Sequence, residues 1–125
     1  MKGMLALLLL TATLTVQAGG RSTTDGNSLL EGCGAAVRSL DGGGQKVPDA
    51  FAMGQCFGIL DGVVGSAQIM EKQLPATLRT CIPENYSHGQ GVRIVVKYLN
   101  ENPQSLDLPA SFLVMMSLKT AFPCS

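Results

Sequence analysis

The sequence predicts an all-α fold, a small antiparallel bundle of about four main helices stapled by two disulfides. Three observations carry that prediction. Apolar residues recur at three- and four-residue intervals through several stretches, where a half-buried strand would alternate strictly. Residues that start and stop helices bracket those stretches. Four cysteines are spread along the chain, an even number with no two close together.

Residues 1–18 read as a targeting segment and are set aside first. Lys2 supplies a positive start, Met4 to Thr15 is apolar, and Val16-Gln17-Ala18 offers the small residues a signal peptidase accepts, so cleavage is expected before Gly19. The apolar run is shorter than the roughly 20 residues of a membrane-spanning helix, and no cysteine follows the cleavage site to take a lipid. No membrane attachment is therefore expected after cleavage. Residues 19–125 then form a single domain with a modest core. Nine Lys and Arg balance nine Asp and Glu, and loss of Lys2 makes the net charge about −1. Without a basic cluster to track phosphates, nucleic acid is an unsuitable partner.

Gly19 to Gly26 is polar and glycine-rich. The first helix is expected near Ser28, where Ser28 and Glu31 stand in capping-box relation, and Leu29, Leu30, Cys33, Val37 and Leu40 form its stripe. Asp41-Gly42-Gly43-Gly44 ends it as a turn. That glycine run lacks a following Gly-Lys-Ser/Thr and a preceding strand, so it reads as a connector and not a phosphate loop.

The second helix, expected over Asp49 to Gln73, is the element around which the others should pack. Cys56, Ile59, Leu60, Val63, Ala67, Met70 and Leu74 mark its apolar face. Gly54, Gly58, Gly62 and Gly65 also recur at helical spacing, which suits the close approach of a neighbouring backbone. Pro75 to Tyr86 is a long connection carrying Cys81-Ile82-Pro83. Ser87 and Gln90 cap a third helix with Val92, Val95, Val96 and Leu99 on one side; its β-branched run makes a strand the competing reading. Asn102-Pro103 stops it. Asp107-Leu108-Pro109 opens a fourth helix whose broad apolar face includes Phe112, Leu113, Met115, Met116, Leu118, Ala121 and Phe122. The methionines are read as core filler, and Pro123 leaves Cys124 just beyond the helix.

Four motifs in order form a recognisable set. They are Gly54-Gln55-Cys56-Phe57-Gly58-Ile59-Leu60-Asp61-Gly62, Cys81-Ile82-Pro83, Val95-Val96-Lys97-Tyr98-Leu99 with Asn102-Pro103, and Ala121-Phe122-Pro123-Cys124. The set resembles the Rap/Tai family of immunity proteins from type VI secretion systems and covers nearly all of the chain after residue 18. The resemblance implies an all-helical, non-enzymatic periplasmic protein that binds a peptidoglycan amidase toxin and blocks its active site. It also implies a homodimer as a possible assembly. The chain departs from the family pattern at Ile59-Leu60, where an aromatic often follows the glycine.

Two other classes compete. A small helical periplasmic chaperone or stress protein would use apolar faces promiscuously. An enzyme would have to draw on Asp61, Glu71, Glu84 or His88, or on a free Cys56 or Cys81 activated by His88; cysteines in disulfides cannot attack. No metal or other cofactor is expected, since the cysteines lack a C-x-x-C pair and one histidine cannot complete a zinc set.

The cysteines should pair as Cys33–Cys56 and Cys81–Cys124. Cys33 precedes the glycine turn by about as many residues as Cys56 follows Pro48, which puts both at one level of an antiparallel helix pair. The partner-binding surface is expected in the connection from Leu74 to Gly89, where Glu84, Asn85, Tyr86 and His88 offer a carboxylate, an amide and an amphipathic ring.

Overall fold

A computed structural model of the chain describes residues 24–42 and 49–125. The expected targeting segment, its cleavage point and residues 43–48, which include the second half of the expected glycine connector, lie outside the described residues. Four α-helices occur: α1 (Gly26–Gly42), α2 (Ala50–Met70), α3 (His88–Glu101) and α4 (Ala110–Ala121). Two short 3₁₀ turns, Ala76–Leu78 and Pro103–Ser105, sit in the connections. No strand occurs among the described residues, only the isolated bridges Asp25–Pro109 and Thr80–Pro123.

Helix α1 starts earlier than the Ser28–Glu31 capping box predicted. Asp25 is the cap, its carboxylate accepting from the Ser28 N–H at 2.9 Å. The turn before α4 fixes the same point, because the Gly26 and Asn27 N–H groups donate to Leu108 and Leu106 carbonyls at 3.1 and 3.2 Å. Asp49 caps α2 through the Ala52 N–H. Ser87 caps α3 through Gln90, as the sequence suggested. The Val92 to Tyr98 run is helical and not a strand, and its buried members Val92, Val95 and Leu99 share one face.

Each helix packs against the other three. The core takes Leu29, Cys33 and Ala36 from α1, Cys56, Leu60 and Val64 from α2, Val92, Val95 and Leu99 from α3, and Leu113, Val114 and Leu118 from α4. Buried Ser117 satisfies its hydroxyl on the Val114 carbonyl at 2.7 Å. The apolar faces predicted for α2 and α4 are too wide. Met70, Phe112 and Met115 are exposed and Met116 is half-buried, so the methionines of α4 are not core filler as expected. Buried Val64 shows that the inner stripe of α2 is narrow and rotated from the one its composition suggested.

The close helix approach is also displaced. Gly54, Gly58, Gly62 and Gly65 were expected to admit a neighbouring backbone, yet a Cβ at any of them would meet nothing within 4 Å. Gly32 of α1 takes that role, since a Cβ there would run into the carbonyl of Ala52 in α2. One residue on, Cys33 bonds to Cys56 with a Cα–Cα distance of 5.2 Å. Cys81 and Cys124 form the second bridge at 5.1 Å.

Sequence separations of 23 and 43 residues correspond to about 3 and about 4 kcal/mol of lost unfolded-state entropy in the loop-closure description. Their accessibility differs more. Cys33 and Cys56 are buried in the core, whereas Cys81 is exposed and Cys124 half-buried. Mild reduction followed by alkylation and peptide mass spectrometry should therefore open Cys81–Cys124 first and leave Cys33–Cys56 closed until the bundle unfolds. Simultaneous loss of both bridges would contradict this.

Candidate functional site

The connection between α2 and α3 is long but held at many points. Pro75 sets up the 3₁₀ turn, and the Arg79 side chain returns to the Leu74 carbonyl at 2.6 Å. Lys119 of α4 donates to the Thr77 carbonyl. Thr80 pairs with Pro123, and the Cys81 N–H donates to the Phe122 carbonyl at 3.0 Å beside the Cys81–Cys124 bridge. A turn closed by the Tyr86 N–H on the Pro83 carbonyl, 3.0 Å, then leads into the Ser87 cap. The backbone from Leu74 to Ser87 is thus tied to the end of α4 and to the start of α3.

The four side chains singled out in this connection separate into two groups. Glu84, Asn85 and His88 are exposed. Tyr86 turns inward. Its ring packs edge-on against Phe122, with centroids 6.1 Å apart, and against His88 at 6.3 Å. It fills the place a side chain at Gly91 would need, so Tyr86 and Gly91 act as one packing unit. The Tyr86 hydroxyl is buried and finds no hydrogen-bond partner among the described residues. Burial pushes this phenol above its ordinary value, and the negative charge of Asp61 adds to the shift.

Asp61 is the neighbour that sequence reasoning had not joined to this surface. Its carboxylate lies 2.6 Å from Nε2 of His88, tying the start of α3 to the middle of α2. Both side chains are more than half exposed, so the pair orients His88 more than it stabilises the fold. Twenty-seven positions separate the two in sequence, and only the packing of α2 on α3 brings them together. All four cysteines are in disulfides, which leaves His88 no thiol to activate. At the C-terminal end of α1, Arg93 of α3 grips Asp41 at 2.6 Å and holds its carboxyl below the usual value.

A second feature lies on α2 and α4. Ile59, Val63, Met70, Leu78, Phe112 and Met115 line an open apolar groove, with Lys119 at its edge. Helix α2 is also long and apolar enough to cross a membrane, judged by length and composition alone. Its inner side is closed by the bundle, and its outer side is bare among the described residues.

Residues 25–124 match the family model described as Rap1a immunity proteins. No curated protein and no solved structure matches the chain.

Tyr86 gives a test of the site's construction. The folded state holds the phenolic proton more tightly than the unfolded chain, whose tyrosine ionises near pH 10. Stability should therefore fall as the pH rises above about 10. Tyr86→Phe should keep the stability at pH 7 or raise it by up to about 1 kcal/mol, because it deletes a buried hydroxyl that has no hydrogen-bond partner among the described residues, and should flatten the alkaline decline. Urea unfolding from pH 7 to 11 measures both; a loss of stability at pH 7 would mean that the hydroxyl is bonded.

Proposed function

Because the chain belongs to the Rap1a immunity protein family, we propose that it is a periplasmic immunity protein that binds and inhibits a peptidoglycan amidase delivered by type VI secretion. The observation that carries this reading is the braced α2–α3 connection. An inhibitor that enters an enzyme cleft gains affinity when its contact loop is already ordered, since little conformational entropy is then lost on binding. Here the loop is ordered by a disulfide, a bridge to Pro123 and a capped helix. Glu84, Asn85 and His88 present polar groups outward, and Tyr86 supports them from beneath.

Two disulfides fit an oxidising compartment, and export through residues 1–18 supplies the route there. An immunity protein has to meet the toxin where the cell wall is cut, which is the reason for preferring the periplasm. The second partner in this reading is another copy of the chain.

The chaperone alternative has one observation in its favour, the exposed groove between α2 and α4. A chaperone of that kind would suppress aggregation of unrelated unfolding proteins, whereas an immunity protein would protect only against its own toxin.

Titration of the cognate amidase on purified peptidoglycan tests the proposal. The oxidised protein should abolish hydrolysis near equimolar concentration. Glu84→Ala combined with His88→Ala should weaken binding by more than about 2 kcal/mol, roughly thirtyfold, with the circular dichroism spectrum retained. An unchanged dissociation constant would place the toxin contact elsewhere on the surface.

A further inference from the structure

None of Glu84, Asn85 and His88 lines the apolar groove between α2 and α4. Val63 and Met70 of α2 and Phe112 and Met115 of α4 form its walls, and Leu74 and Leu78 continue the lining past the end of α2. Its volume of about 930 Å³ falls within the roughly 300–1,000 Å³ of small-molecule sites. Gly62 also lines it, and a Cβ there would meet nothing within 4 Å, so the α2 wall is hollowed at that point. The Ser66 hydroxyl, one turn on, donates to the Gly62 carbonyl at 2.7 Å and is already satisfied.

The charge on this lining is of one sign. Lys119 is its only charged side chain among the described residues, and no Asp or Glu joins it there. The ammonium donates to the Thr77 carbonyl and makes no ion pair among the described residues. An ammonium carries three donors, so two remain for an anion. We propose that the groove binds a free long-chain fatty acid, with the acyl chain laid along Val63 and Phe112 and the carboxylate on Lys119. The site is separate from the toxin contact and rests on no part of that reading.

Length, polarity and charge favour this occupant. From Ile59 to Met70, both on the lining, α2 rises about 16 Å at about 1.5 Å per residue. An extended acyl chain advances about 1.3 Å for each carbon–carbon bond of about 1.5 Å, so roughly twelve carbons match that length. A bound polypeptide would bring backbone N–H and C=O groups that need partners, and the stretch from Gly62 to Ser66 offers only a satisfied hydroxyl and helix-bonded backbone. Methylenes need no partner, and each one buried adds to binding through the hydrophobic effect. A cationic amphiphile would set like charge against Lys119, whereas a carboxylate gains charge-assisted hydrogen bonds from it.

Calorimetric titration of the oxidised full chain with dodecanoate, kept below its micelle concentration, should show one site per chain with a dissociation constant of about 1–100 µM. Dodecyltrimethylammonium, with the same chain length and the opposite charge, should bind about tenfold more weakly or worse. Lys119→Gln should erase that preference, and Lys119→Arg should keep it. Gly62→Leu should fill the groove and lower dodecanoate affinity by about tenfold or more, with the circular dichroism spectrum retained because a Cβ there meets nothing. No dodecanoate binding up to about 1 mM, or equal binding of the two amphiphiles by the unaltered chain, would overturn the proposal. An affinity unchanged by Gly62→Leu would overturn the groove as the site. A self-associated chain that takes up no dodecanoate would assign the groove to a second copy, and flotation with phosphatidylcholine vesicles without uptake of free dodecanoate would assign it to a bilayer; either result overturns the fatty-acid site. No amidase enters these measurements, so toxin inhibition stands or falls separately.

Discussion

The contact on which the bundle rests is the crossing of α1 and α2 at Gly32, Cys33, Ala52 and Cys56. Gly32 lets the backbone of α2 come against that of α1, and the Cys33–Cys56 bridge, buried one residue further on, fixes the level at which they cross. Everything else is laid on that pair. Leu29 and Ala36 on α1 and Leu60 and Val64 on α2 then form the surface onto which Val92, Val95 and Leu99 of α3 and Leu113, Val114 and Leu118 of α4 close. A side chain at Gly32 would separate the two helices at the one place where the disulfide requires them to touch.

The second bridge serves the loop more than the core. Cys81 is exposed, and its bond to Cys124 ties a connection of irregular backbone to the end of α4. The buried bridge holds the scaffold, and the exposed one holds the candidate contact surface. Tyr86 joins the two tasks, because its ring reaches inward to Phe122 and Gly91 while its neighbours Glu84, Asn85 and His88 face outward. The buried hydroxyl is a cost of that arrangement, set against the apolar packing of the ring.

Local signals in the sequence made the four helices and both cysteine pairs legible. The Ser87 cap, the proline stops and the three-four spacing act over a few residues, and the cysteine pairing follows from helix lengths. Features that depend on which side of a helix meets which neighbour were harder to read. Helix α2 is apolar nearly all round, so its periodicity does not reveal that only Cys56, Leu60 and Val64 are fully buried or that its glycines face outward. Phe112 and Met115 look like core residues for the same reason. The Ser28–Glu31 pair matched a capping motif, but Asp25 and the turn before α4 started the helix earlier. Within the candidate site the loop was legible from its length and its cysteine. The inward turn of Tyr86 and the link from His88 to Asp61 were not, because both arise from the packing of α2 on α3.

The central claim is that the braced α2–α3 connection is what an amidase toxin meets. Hydrogen–deuterium exchange of the oxidised chain, alone and with its cognate amidase, tests this most directly. Amides from Cys81 to Gln90 should gain protection in the complex, with those of the α1–α2 crossing unchanged. Protection confined to other surfaces, or no change with the amidase present in excess, would contradict the account.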